Sequence, residues 1–407
     1  VETKQANRFD EALWNKKTRG NPQALYEQMR EVEPIYCGIG PVSGRNFWFF
    51  TRYDDCVTVL KNQIFGKEFY RHLPPEMVAE NQGENPEQFN VVSRHMLNLD
   101  PPDHTRLRGL VHKAFTPRMI DNLRPRIQQI ADDLLDKIEG KDEIDLIEEY
   151  SFPLPITVIA EMLGIPVADQ DKFRHWTNVL LYSPDEQVNG AAAMEFAMYM
   201  HEMIDQRTND PQVDLITGLL MAEDGGETLH REELLSMIFL LLVAGHETTV
   251  NLIANGTLAL MQNPDQMQLL RDDPSLIKSA VEEMLRYNGP VETPTMRWSF
   301  EDTEMDGKFI QQGDIVLPAL LAANRDPAYF ENPNVFDIRR EPNKHIAFGH
   351  GIHFCLGAPL ARMEGTIAIN TMLARLPKLE LNTDIDQLDW NESLLIHGMK
   401  ALPVRLS

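Results

Sequence analysis

The chain has 407 residues, 43% of them hydrophobic, which is ample material for a core and, by length alone, for two or three ordinary domains or one large one. Its 38 Lys and Arg against 62 Asp and Glu leave a formal net charge of −24, which argues against a nucleic-acid partner because phosphate backbones attract basic patches. Three widely separated cysteines, Cys37, Cys56 and Cys355, are odd in number, so a disulfide framework is not expected and a reducing compartment fits.

Residues 1–20 read as a polar, flexible lead-in. The start, Val1-Glu2-Thr3-Lys4-Gln5, lacks the apolar core of a signal peptide. The apolar run 237–244 is far short of the roughly 20 residues of a membrane span, so a cytoplasmic protein without a membrane anchor is expected. A helix is predicted over 21–31 and a strand over 47–52, where aromatic residues carry β preference. Gly38, Gly40 and Gly44 read as a turn, since their spacing and surroundings do not match a dinucleotide loop. Residues 70–90, rich in Pro, Glu, Asn and Gln, read as a surface loop. Asp100-Pro101-Pro102-Asp103 is a turn leading into a helix, with Asp103 its candidate N-cap. His104 and Arg108 then fall four apart on one helical face, where both could reach one anion. A solvated basic face that includes Arg106 and Lys113 is the alternative.

Helices are predicted over 117–138, 144–163, 169–181 and 194–207. Phe173, Trp176, Val179, Leu180 and Leu181 could roof an apolar pocket, although such stripes also form ordinary core. A loop is expected at Asp224-Gly225-Gly226-Glu227. From 231 to 261 the pattern stays helical, long enough to cross a whole domain at ~1.5 Å per residue. Its middle, Ala244-Gly245-His246-Glu247-Thr248, breaks the rules of an apolar helix: interior Gly costs on the order of 1 kcal/mol against Ala, and a charge there needs a partner. A structural kink caused by threonine bonding back to a carbonyl is one reading. A local opening in which Glu247 and Thr248 manage protons is the other. A helix over 276–287, strands over 291–300, 308–310 and 315–317, and a turn at Gln312-Gly313-Asp314 follow.

The most informative stretch is Phe348-Gly349-His350-Gly351-Ile352-His353-Phe354-Cys355-Leu356-Gly357, ahead of a helix predicted over 358–376 with Pro359 in its first turn. Glycines around one cysteine let the backbone approach something flat and bulky, and a helix start near the sulfur favours its thiolate. Three readings compete: a buried thiol packing as a small hydrophobe, a zinc site recruiting His345, His350, His353 and Cys355, and a haem ligated by the thiolate.

The spacing of Phe348, Gly351, His353, Cys355 and Gly357 resembles the haem-binding signature of the cytochrome P450 family. The resemblance extends from about Asn21 to the C-terminus. Ala244, Gly245, Glu247 and Thr248 resemble the family's oxygen-activating motif, which implies proton delivery by Glu247 and Thr248. His104 and Arg108, in the run His104-Thr105-Arg106-Leu107-Arg108, and Arg297 match the residues that hold haem propionates, for which an arginine fork is well suited. Glu283 and Arg286, with Arg340, match a buried structural triad. Val243, Ala244, Pro294 and Ile396 would line the substrate pocket, Ile396 from a C-terminal turn over 394–398.

The resemblance implies one mainly α domain over 1–407 with small β-sheets, holding haem b between the long central helix and the cysteine-loop helix, with Cys355 on the iron. It implies a soluble monooxygenase of the bacterial type, with a monomer as the expected state. The activity implied is insertion of one atom of O₂ into a C–H bond of an apolar small molecule. Electrons would come from a ferredoxin or flavodoxin with its reductase, docking near Lys113, Arg118 and Lys344. A haem-based gas sensor, and an isomerase or dehydratase on the same fold, are the alternatives. The overall look is nearest to bacterial members acting on polyketides.

Overall fold

The computed structural model describes residues 8–40, 46–72, 93–183 and 185–407. They form two compact units, one of Val1–Phe69, Ala131–Phe152 and Thr248–Ser407, the other of Tyr70–Ile130 and Pro153–Glu247. The division falls inside the long helix, Arg231–Gln262.

The first unit is built on a five-stranded sheet in the order Ile35–Ile39, Asn46–Phe50, Ile315–Pro318, Arg297–Ser299, Phe65–Gly66. Asn46–Phe50 pairs antiparallel with Ile35–Ile39 (Cys37 opposite Trp48) and parallel with Ile315–Pro318 (Val316 opposite Trp48). Its aromatic run is buried on both faces, as a strand with covered faces should be. Phe47 and Phe49 pack with Leu13, Tyr26 and Met29, while Trp48 and Phe50 pack with Cys56, Val59 and Leu60. That split is the two-residue side-chain period of a strand. A smaller sheet orders Glu380–Leu381, Pro403–Arg405 and Glu143–Asp145.

In the same unit, the C-terminal half of the long helix packs on the helix Ala358–Arg375. A Cβ on Gly365 would lie 3.0 Å from Leu252. A glycine at that crossing lets the two helices approach.

The second unit is helical: Asp103–Ala114, Pro153–Leu163, Gln170–Tyr182, Glu186–Asn209 and Leu215–Leu220, with the first half of the long helix. Phe173 and Trp176 lie edge-on to Phe196, at ring-centroid distances of 6.1 and 5.9 Å, and Phe196 meets Phe239 at 5.3 Å. Phe173 and Trp176 are therefore core rather than a roof over a pocket.

Several predicted elements are corrected. Residues 8–20 are not a flexible lead-in: Asp10–Trp14 and Lys16–Arg19 are helical, and Phe9, Leu13 and Arg19 are buried. Gly38 lies within a strand rather than a turn, because only hydrogen fits there; a Cβ would sit 2.5 Å from the Phe47 ring. Asp103 is the first helical residue, preceded by Pro102, and pairs with Arg71 instead of capping.

The predicted helix 144–163 divides into the strand Glu143–Asp145, a π-turn Ile147–Ser151 and the helix Pro153–Leu163. Ile144 is drawn into sheet by pairing with Val404. Glu223–Asp224 and Glu227–Thr228 form a hairpin whose two turn glycines have φ of 61° and 90°. The strand predicted over 291–300 shrinks to Arg297–Ser299, preceded by a single bridge from Val291 to Ile396. Most of the predicted loop 70–90 lies outside the described residues.

The long helix is unbroken from Arg231 to Gln262, so no local opening interrupts it. Gly245 sits against Ile159, where an added Cβ would make ordinary contact at 3.5 Å. Among the described residues it is the one helix long and apolar enough to cross a membrane, and 67% of its apolar window is buried in the fold, as in a core helix.

Candidate active site

Cys355 lies in the first unit on a loop that two glycines bend. Gly349 and Gly351 have φ of 71° and 73°, and a Cβ on Gly351 would meet the Leu60 carbonyl at 2.6 Å, so glycine is required there. The Cys355 N–H donates to the Phe348 carbonyl at 3.0 Å and the Phe354 N–H to that of Gly351 at 3.1 Å, closing the loop on itself. The following helix starts at Ala358, after Gly357, with Pro359 in its first turn. Cys355 is exposed, Cys37 half-buried and Cys56 buried, and none of them forms a disulfide. An exposed Cys355 removes the buried-thiol reading. His353 is half-buried beside it.

The zinc reading also fails. Among the described residues no group of three His, Cys, Asp or Glu side chains is gathered to hold a metal. His345 Nε2 is instead 3.0 Å from Glu282, and His350 Nδ1 accepts from the Gly351 N–H.

Arg297, in the same unit, is buried on its strand and donates from Nη1 to the Phe65 carbonyl at 2.7 Å. Pro294 is half-buried in the turn before it. The buried Lys67 braces that turn from Nζ, bonding the Thr295 carbonyl and hydroxyl at 2.6 Å and the Met296 carbonyl at 2.9 Å. Ile396 is buried in the C-terminal turn, which is stitched to 290–293: Glu292 N–H donates to Leu395 at 3.0 Å, Thr293 N–H to Leu394 at 3.0 Å, and His397 N–H to Pro290 at 2.9 Å. Thr248 is half-buried at the start of this unit's share of the long helix.

Glu283 receives Arg286 through two bonds of 2.7 Å and Arg340 Nε at 3.1 and 3.2 Å. Arg286 also donates to the carbonyls of Asn324, Pro333 and Val335, which ties the helix Ile277–Asn288 to the segment ahead of the cysteine loop.

In the second unit His104 is buried, and Arg108, half-buried, lies one turn along the same helix. The solvated-basic-face reading does not hold at His104, because its side chain is buried, whereas Lys113 stays exposed in a pair with Asp224 and Arg106 pairs with Glu233. On the long helix Val243 is half-buried, Ala244 exposed and Glu247 buried. His246 is buried and its ring is kept neutral by burial; with Nδ1 3.1 Å from the Leu242 carbonyl, that nitrogen carries the hydrogen.

The donor set matches haem: a soft sulfur presented by a glycine loop, and arginine and histidine side chains suited to carboxylates. The family model described as Cytochrome P450 matches residues 148–401. The chain belongs to the cytochrome P450 family. It is 47% identical over 382 residues to cytochrome P450 107B1 of Saccharopolyspora erythraea, covering 93% of this chain and 94% of that one. It is also 43% identical to the polyketide biosynthesis cytochrome P450 PksS of Bacillus subtilis, covering 96% and 97%. Among solved structures, a myxobacterial cytochrome P450 in complex with myristic acid aligns with a TM-score of 0.91 at 46% identity, over 98% and 99% of the two chains. The chain therefore has the mainly α P450 fold with small sheets, and it is a haem-thiolate monooxygenase whose cofactor is iron protoporphyrin IX.

Two buried acids of the site region are not among the residues that the sequence singles out. Glu292 is fully buried between Arg19, at 2.6 Å, and Tyr26, next to the stitched C-terminal turn. Glu364 is fully buried on the helix behind the cysteine, bonded to Thr249; burial pushes its carboxyl up to about 8. In the sequence each looks like one more acid among 62, with no local pattern to mark it.

Proposed function

We propose that this P450 hydroxylates an unactivated C–H bond of an apolar polyketide, with Cys355 as the iron ligand. The cysteine loop carries the reading: its glycines and the Phe348–Cys355 hydrogen bond present an exposed sulfur ahead of a helix start. Bound there, haem supplies the activation of O₂. Phe348, Gly357 and His353 would shape the loop toward it, while His104, Arg108 and Arg297 would hold its propionates and Ala244 would contribute to its binding. Glu247 and Thr248 hold and pass protons to the oxygen side. Val243, Ala244, Pro294 and Ile396 would be the residues that meet the substrate. Glu283, Arg286 and Arg340 are structural.

The substrate class is supported by the relatives: PksS is named for polyketide biosynthesis, and a 6-deoxyerythronolide B hydroxylase of Saccharopolyspora erythraea is 38% identical. Electrons come from a ferredoxin or flavodoxin with its reductase, residues 1–407 acting as one P450 domain of a cytoplasmic monomer. Of the three basic residues considered for docking, Lys113 is already bridged to Asp224 at 2.8 Å, so exposed Arg118 and Lys344 are the better contacts. Charge reversal at these positions should slow reduction by a ferredoxin; an unchanged rate removes them from the docking surface.

The ferrous–carbon monoxide difference spectrum tests the core of this reading. Wild type should show the red-shifted Soret band and Cys355→Ala should lose it; a band retained in the variant rejects Cys355 as ligand. Substrate titration by spin-state shift then compares macrolactones with fatty acids and sterols, and selective response to fatty acids would overturn the polyketide assignment.

A further inference from the structure

We infer that Glu282, Arg362 and His345 form a bracket that positions Phe348, and through it Cys355, and sets the electrostatic surroundings of the cysteine sulfur. The inference rests on Cys355 being the haem ligand. Glu282 stands beside Glu283 on the helix Ile277–Asn288 but serves different partners. Arg362 meets it fork to fork, Nε to Oε1 at 2.6 Å and Nη2 to Oε2 at 2.8 Å, and His345 Nε2 lies 3.0 Å from Oε2. His345 Nδ1 accepts the Ala347 N–H at 3.2 Å, which leaves Nε2 to donate to the carboxylate. Burial pushes the Glu282 carboxyl up, but the bonds from Arg362 and His345 outweigh it and hold it down at about 2.

The bracket grips both ends of the cysteine loop. His345 lies on the segment entering it, and Arg362 on the helix leaving it. Between them the Arg362 guanidinium carbon sits 4.4 Å from the centroid of the Phe348 ring, and the His345 ring is 6.2 Å from it. The Phe348 carbonyl in turn accepts the Cys355 N–H at 3.0 Å. Gross stability does not explain the arrangement: the Arg362 and Glu282 side chains are 38% and 29% exposed, where an ion pair contributes little. What a planar, two-bond contact adds is direction, and what the pair adds to the sulfur is a cation already balanced by an anion.

The test measures the reduction potential and the rate at which the red-shifted carbon monoxide band converts to the unshifted one. Glu282→Gln leaves the Arg362 cation unbalanced and should raise the potential; Arg362→Leu leaves the anion and should lower it. Arg362→Lys keeps the charge without the planar fork, so its potential should stay near wild type while its band converts several-fold faster. Shifts of the same sign in the first two variants, or unchanged potentials and conversion rates in all three, overturn the bracket. The wild-type band is measured first: without it the ligand assignment fails and the inference falls with it, whereas a normal wild-type band isolates the bracket as the failing part.

Discussion

Replacing Glu364 with glutamine removes a buried carboxyl at the contact between the cysteine-loop helix and the long helix. The side chain is fully buried, bonded to Thr249, and its Oε2 has no hydrogen-bond partner among the described residues. Burial raises its pKa from 4.5 to about 8, and the Thr249 bond offsets only part of that. Because the folded-state value is raised, the favourable contribution is complete below the unfolded pKa of 4.5 and is lost progressively as pH rises to about 8. At about 1.4 kcal/mol per unit, the wild type should lose about 3 kcal/mol between about pH 5.5 and about pH 8.5 through this group alone. Glu364→Gln cannot ionise and should not lose it. Its amide brings N–H groups into an apolar contact, a roughly pH-independent cost of about 1–3 kcal/mol, so the change in the difference between the two proteins is the informative quantity. Urea unfolding followed by far-ultraviolet circular dichroism at both pH values measures it. A wild-type-minus-variant difference that stays constant across that range would refute the argument that Glu364 is neutral in the folded protein.

Glu283→Gln strands Arg286 and weakens Arg340, and should destabilise the protein by about 3–5 kcal/mol in the same urea assay; a loss under about 1 kcal/mol, on the order of an exposed pair, would show the triad to be dispensable. Thr248→Ala should fold and keep the red-shifted carbon monoxide band but release hydrogen peroxide in place of product, and full coupling would remove Thr248 from proton delivery. Gly398→Ala drives a methyl into the buried Asn251 side chain, so that side chain and the C-terminal turn must give way to one another. It should cost about 1–3 kcal/mol and weaken substrate binding in a spin-state titration, since Ile396 moves with the turn. Gly140→Ala, at φ 80° with nothing within 4 Å of the added methyl, is the control for backbone strain alone and should leave substrate binding unchanged.

The sequence alone determined what depends on short spacing. The order Phe348, Gly351, His353, Cys355, Gly357 defines the cysteine loop because φ above zero and close backbone approach are properties of individual glycines. The long helix was legible from a helical pattern with no stop signal, and the helices Pro117–Ile138 and Ala358–Arg375 from periodicity with proline at their starts. Tertiary structure decided whatever depends on a partner distant in sequence. Ile144 is strand because Val404 pairs with it, Gly38 is strand because Phe47 fills the space beside it, and residues 8–20 are ordered because Glu292 takes Arg19. Glu364 and Glu282 each look like one more acid among 62, yet one is pushed to about 8 and the other held at about 2. Burial without a balancing cation makes the first, and a guanidinium fork brought from 80 residues away makes the second.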